Sequence, residues 1–172
     1  MSCVLPFPET KAFPAADHPG MAKAKGQTYV DILGRKLKLV ELDLTAGFGS
    51  GSGADSAGRK FFKWVSRTLY TMEPTAAATD RISGVSPKGL QNLVDGDLFL
   101  VVVFGRAYAV LGGSTDAAVA GQYLLPSTDA DKGKANGGGT GYTEGVEDII
   151  SLTTEATTDD TELVIDIVKE LV

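Results

Sequence analysis

In the stretch Tyr29-Val-Asp-Ile-Leu-Gly-Arg-Lys-Leu-Lys-Leu-Val-Glu-Leu-Asp-Leu44, apolar and charged residues alternate from Lys36 onward, and the phase changes at Leu39-Val40. Successive side chains leave a strand on opposite faces, so alternation predicts a half-buried strand and the change of phase predicts a bulge. The strongest signal is Asp95-Gly-Asp-Leu-Phe-Leu-Val-Val-Val-Phe-Gly-Arg-Ala-Tyr-Ala-Val-Leu111, in which Leu98 to Phe104 is an unbroken apolar run. It is too short for a typical helix and rich in β-branched and aromatic residues, which predicts a buried strand. Gly105-Arg106 then fits a two-residue hairpin turn with glycine first, as a type II′ turn requires. This hairpin is expected to form the core.

Weaker patterns fill the remainder. Phe61-Phe-Lys-Trp-Val65 reads as a short aromatic strand, and residues 71–92, punctuated by Pro74, Gly84, Pro87 and Gly89, read mostly as loop. Ala117 to Leu125 can begin as a helical turn and ends in Gly121-Gln-Tyr-Leu-Leu-Pro126, a strand stopped by proline. Residues 127–145 form a polar, glycine-rich loop, and Gly145 to Leu152 a strand. The segment Thr161-Glu-Leu-Val-Ile-Asp-Ile-Val-Lys-Glu-Leu171 suits either period, but its β-branched residues and the threonine-rich turn before it favour a strand.

Residues 1–28 follow neither period. Pro6, Pro8, Pro14 and Pro19 forbid a helix and exclude a central strand. The segment nevertheless carries Val4, Leu5, Phe7 and Phe13, which a solvated tail does not need. It reads as an extended arm that cannot fold alone and docks through these four residues on another surface, such as a neighbouring subunit. The expected organisation is therefore an arm at 1–28 and a β-rich domain at 29–172, with glycine-rich loops at 47–58 and 127–145. The fold class is mainly β, a compact β-sandwich or β-barrel-like domain with an extended N-terminal arm.

Composition narrows the function. At 172 residues with 43% hydrophobic and 22% charged residues, the chain can bury a core without disulfides or metal. Its net charge is −6, which disfavours direct nucleic-acid binding. The one basic cluster, Arg59-Lys-Phe-Phe-Lys-Trp64 with Arg67, mixes cations with aromatics as single-strand binders do, but on an acidic chain it reads better as a solvated strand face or a subunit contact. Cys3 and His18 are the only residues of their kinds, so neither an intramolecular disulfide nor a cysteine-based zinc site can form, and Ser-His or Cys-His catalysis would depend on one histidine in a proline-rich segment. The start lacks the basic and apolar regions of a signal peptide, and no apolar run is long enough to span a bilayer.

Three motifs come near to known chemistry. Gly53-Ala-Asp-Ser-Ala-Gly58-Arg59-Lys60 imitates a phosphate-binding loop but has Arg59 and Lys60 where lysine and a hydroxyl belong. Asp129-Ala-Asp131-Lys-Gly133 imitates a calcium loop with its glycine one place early and Thr140 where the glutamate belongs. Glu147-Asp148 and Asp159-Asp160 are adjacent carboxylates, which point to opposite faces of a strand and do not converge on one substrate atom. No residue is assigned to catalysis, a cofactor or a metal.

From about residue 93 onward the order of motifs is distinctive. Gly96-Asp97-Leu98 leads into an apolar strand; Gly121-Gln-Tyr-Leu124, Gly133-Lys134-Ala135 and Gly145-Val146 follow; Thr157-Thr-Asp-Asp-Thr-Glu-Leu-Val-Ile-Asp-Ile167 ends the pattern. This layout resembles the capsid decoration (cement) proteins of tailed bacteriophages. The resemblance covers fewer than half the residues, and the glycine-rich loop at 47–58 and the arm lie outside it. It implies a non-enzymatic virion structural protein on the outer capsid surface, often trimeric, that clamps neighbouring major capsid proteins. The partners it implies are the major capsid protein and further copies of the chain. Two other readings remain open: another virion subunit, such as a tail-tube, head-completion or minor capsid protein, and a carbohydrate- or receptor-binding module using the threonine- and glycine-rich loops.

Overall fold

The computed structural model describes residues 5–44, 57–112, 118–127, 132–139, 149–153, 155–156 and 161–171. Val4, Cys3, the glycine-rich stretch up to residue 56, Asp129 and Asp131, Gly145-Val146, Glu147-Asp148 and Asp159-Asp160 lie outside the described residues. The elements in chain order are β1 (Phe13–Pro14), α1 (Pro19–Ala22), β2 (Thr28–Val30), β3 (Lys36–Leu42), β4 (Phe61–Ser66), β5 (Thr71–Pro74), β6 (Gly84–Val85) and β7 (Asp97–Val110). After these come β8 (Ala118–Val119), β9 (Tyr123–Pro126), β10 (Ala135–Gly139), β11 (Ile149–Ser151), β12 (Glu155–Ala156) and β13 (Glu162–Ile167). The fold is mainly β, as the patterning implies.

Five of these strands close a barrel. β7 pairs with β6, β6 with β4, β4 with β5, β5 with β3, and β3 returns to β7, so no edge is left open around the ring. Within it Phe62 and Phe99 pack with their ring centres 5.1 Å apart. Gly84 lets β6 approach closely, since a Cβ there would lie 2.8 Å from the Val101 side chain. Beyond the barrel β7 continues into a second sheet, in which β13, β11, β9 and β10 follow in that order. β8 and β12 form a separate two-stranded pair.

The expected hairpin at Gly105-Arg106 is absent, because β7 runs through those residues as one strand. Gly105 does hold the positive φ that the turn reading demanded, at 93°. It is used for a change of partner instead: residues 98–104 pair with β3, and residues 105–110 with β13. A returning strand would have found residues 98–102 already bonded to β3 on one side and approached by β6 at Val102. The bulge expected at Leu39-Val40 is also displaced, since the β3–β7 register is continuous from Leu37 to Glu41 and shifts between Lys36 and Leu37. Leu39 and Val40 point to opposite faces and are both fully buried. The alternation breaks there because the strand is covered on both sides.

Two segments expected as loop contain strands. β5 and β6 lie within 71–92, and β10 lies within 127–145 despite the sequence Ala-Asn-Gly-Gly-Gly. Each is held by main-chain bonds to a strand distant in sequence or around a turn, which local patterning does not report. β8 stands where the pattern allows a helical turn at the start of the 117–125 segment. The strand expected at 161–171 is present as β13.

The N-terminal segment lies against the chain's own barrel. Phe7 is only 8% exposed and belongs to the core cluster, with Leu5, Phe13 and Met21 packed against it. Phe7 and Phe13 meet edge to face at 5.0 Å. β1 pairs with the first residues of β7, the Ala15 N–H donates to the Gly96 carbonyl, and the Gly26 N–H to that of Leu39. The helix that the prolines were expected to forbid is present as the one-turn α1, because Pro19 stands at its start, where no N–H is needed, and Pro14 lies in the two-residue β1; the apolar side chains find cover within the same molecule.

A charged cluster ties β4 to the turn after β5. Lys63 Nζ lies 3.0 Å from Asp80 Oδ1 and 3.4 Å from Glu73 Oε1, while Asp80 Oδ2 accepts from the Ala76 and Ala77 N–H groups at 2.7 and 3.0 Å. Burial pushes the Asp80 carboxyl up, but the Ala76 N–H, the Lys63 ammonium and the Ala77 N–H outweigh it and hold the group below the ordinary carboxylate value. Burial likewise opposes the charge of Lys63, and its two acidic partners outweigh that and raise it.

Two tests follow from this packing. Replacing Phe7 with Ala is expected to lower the unfolding free energy by about 3 kcal/mol in urea titration, because the ring is part of the core rather than a detachable arm. Asp80 is stabilising above its unfolded value of about 3.9, and that contribution is lost as pH falls through its lower folded value. Asp80→Asn should therefore cost about 1 kcal/mol at neutral pH and flatten the loss of stability below about pH 4, read from melting temperature against pH. The Lys63 contribution is present throughout this range and declines only above about pH 10.4.

Candidate docking surface

The residues singled out in the sequence go to other tasks. Leu5, Phe7 and Phe13, expected to dock on a partner, pack on the chain's own core, and Val4 is outside the described residues. His18 sits edge-on to Phe13 at 5.2 Å. In the basic cluster Phe61 and Phe62 are fully buried, Lys63 is engaged by two carboxylates, and Arg59 Nη1 lies 3.2 Å from Glu162 Oε2. Trp64 lies beneath Lys38, whose Nζ is 5.7 Å from the ring centre. Phe61 and Phe62 are thus core, Trp64 is partly buried against it, and Arg59 and Lys63 are paired, which does not make a base-stacking platform. Residues 57–60 lead into a strand rather than the helix a phosphate-binding loop requires. Among the described residues no three His, Cys, Asp or Glu side chains gather to hold a metal.

Among the described residues, the most exposed large apolar side chains lie on the turn between β2 and β3, where Ile32 is 98% and Leu33 74% exposed. This turn is tightly built. Asp31 Oδ1 accepts from the Leu33 and Arg35 N–H groups, each at 2.9 Å, and Asp31 Oδ2 accepts from Arg35 Nε at 2.6 Å. Gly34 supplies a φ of 77°, and Arg35 Nη2 reaches Glu9 Oε2 at 2.8 Å, fastening the turn to the N-terminal segment. Two aliphatic side chains are therefore held out into solvent on a preorganised tip. The alternation that begins at Lys36 hid this, because Ile32 and Leu33 read as part of one long strand; the Asp31…Gly34 turn spacing was the available signal.

Beside the tip lies the outward face of the second sheet. Along β7 and β13 burial alternates, with Ala107, Ala109, Leu163 and Ile165 inside and Phe104, Arg106, Tyr108, Val164 and Asp166 outside. Cross-strand register places Val164 opposite Tyr108 and Asp166 opposite Arg106, and continues the face through Ile150 to Tyr123. An antiparallel sheet that meets water on one side normally shows polar residues there; this one shows Phe104, Tyr108 and Val164 beside the charged Arg106, Glu162 and Asp166. Where the tip meets the β7 bend, a half-open cleft of about 470 Å³ is lined by Leu33, Gly34, Arg35, Phe104, Gly105, Arg106, Tyr108 and Asp166.

The charges around this face are unequal in their engagement. Lys36 pairs with Glu170 at 2.5 Å and lies over the Phe104 ring, and Lys88 pairs with Glu162 at 2.9 Å and lies over the Tyr108 ring. Arg106 and Asp166 directly oppose each other in register but form no ion pair among the described residues. Chemically the arrangement offers apolar contact area with one positive and one negative group at its centre. That suits protein recognition rather than a reaction.

No family model matches the chain, and no curated protein matches it. Among solved structures it is similar to the head fiber gp8.5 N base of bacteriophage phi29, with a TM-score of 0.47 and 11% sequence identity over 79% of this chain and 96% of that one. A likeness of that size carries no argument about function.

Proposed function

We propose that this chain is a virion structural protein of a tailed bacteriophage that binds the outer surface of the capsid and stabilises contacts between major capsid proteins. The observation that carries the reading is the preorganised tip, which holds Ile32 and Leu33 almost wholly in solvent. A rigid apolar knob loses little entropy on docking, which suits a subunit that must grip a preformed shell. The motifs shared with decoration proteins support the reading by where they sit. Gly96-Asp97 opens β7, Gly121-Gln-Tyr-Leu124 leads into β9, Gly133-Lys-Ala135 enters β10, and the final apolar alternation is β13. The net charge of −6 is consistent with a soluble particle exterior.

The test is co-sedimentation of the purified chain with capsids that lack it, followed by heating of the loaded and bare capsids. The wild-type chain is expected to sediment with heads and raise their disruption temperature. Changing both Ile32 and Leu33 to Asp should weaken head binding by roughly a hundredfold, as loss of an anchoring contact does. Both positions are exposed, so the unfolding free energy should stay within about 0.5 kcal/mol of wild type. Undiminished binding by this variant would overturn the role of the tip. Binding to tail tubes or to a glycan array, with none to heads, would overturn the capsid reading.

A further inference from the structure

We propose that the outward face of the second sheet receives the same face of a second copy of this chain, with Arg106 of one protomer pairing with Asp166 of its partner. The face turns apolar side chains toward water: Phe104 is 36% and Val168 48% exposed, Tyr108 and Val164 are half-buried on the far side of Arg106 and Asp166, and half-buried Ile150 lies opposite Asp166. Arg106 and Asp166 stand at its centre, opposed in register on adjacent strands, where such side chains lie within reach of each other. The neighbouring cations Lys36 and Lys88 have carboxylate partners, whereas Arg106 and Asp166 have no ion pair among the described residues.

Charge selects the occupant. A nucleic acid or a strongly acidic protein would meet Asp166 as a like charge, and a strongly basic protein would meet Arg106. One cation beside one anion, flanked on both sides by apolar groups, is complementary to itself. A two-fold axis between the two residues places each against its opposite on the partner and lays Phe104, Tyr108 and Val164 of one sheet over those of the other. Closed two-fold pairing is the commonest arrangement of identical chains, and face-to-face sheets about 10 Å apart bury side chains of this size. The overall charge of −6 repels two copies at a distance, so association is favoured where the local charges balance.

Sedimentation equilibrium of the full chain tests this without reference to any capsid. The wild type is expected to dimerise, and Arg106→Asp and Asp166→Arg should each weaken that association by roughly a hundredfold, because each sets like charges across the axis twice. Mixing the two variants should restore a one-to-one heterodimer, since every facing pair is then opposite in sign. That rescue cannot come from repair within one chain. Val168→Asp, an exposed change just beyond β13, should weaken the dimer as well and serves if either charge variant misfolds. A wild type that stays monomeric, charge variants that associate as the wild type does, or a mixture that does not recover pairing would each overturn the proposal. The chain with Ile32 alone changed to Asp, a position outside the cleft lining, should still dimerise while binding heads more weakly. A monomeric wild type whose head binding is lost on Arg106→Asp would instead give this face to the shell and leave the capsid reading standing.

Discussion

A single strand belongs to both sheets, and the remaining elements are arranged by what it can bond. Over its 14 residues β7 pairs with β1, β3 and β6 in its first half and with β13 in its second. Every residue from Leu98 to Val103 is buried, which only an unbroken apolar run tolerates. The second half alternates, because one of its faces looks outward. Gly105 stands at the change of partner with a φ of 93°, and an added Cβ there would lie 3.3 Å from Arg35 Cγ. A side chain at that point would meet both a strained backbone and the base of the β2–β3 turn.

The same bend gathers the surface features. Arg35, which passes close to Gly105, is bonded to Asp31 and Glu9, so the turn bearing Ile32 and Leu33 is anchored at once to the barrel and to the N-terminal segment. Phe104 and Arg106 flank the glycine and carry the outward face toward β13. Tip, cleft and open face are thus adjacent because one strand leaves the barrel there. The closed ring beneath supplies a rigid base, which reduces the ordering cost of binding through projecting side chains. The N-terminal segment contributes to that base through Phe7 and β1.

Much of the chain was legible from its pattern alone. Leu98 to Phe104 could be little other than a buried strand, the alternations at 36–44 and 162–167 each gave a strand, and Gly105 was rightly marked as a residue of positive φ. Its consequence was not legible. A positive-φ glycine serves equally in a turn and in a bend, and the choice rests on whether the edges of residues 98–104 are already occupied by strands more than ten residues away in sequence. β5, β6 and β10 escaped notice for the same reason, since their bonds are long-range or run between backbones with little side-chain signal.

By itself, then, the sequence determined composition, charge, the scarcity of cysteine and histidine, the mainly β class and the strand at the centre of the core, all properties of residue type and short-range order. Only the tertiary structure decided that the ring closes, that Leu5, Phe7 and Phe13 are covered by their own chain, and that Ile32, Leu33, Phe104 and Val168 are left in water. Whether an apolar side chain is buried or presented depends on which distant strands come to lie over it, and a linear pattern records the side chain but not its cover.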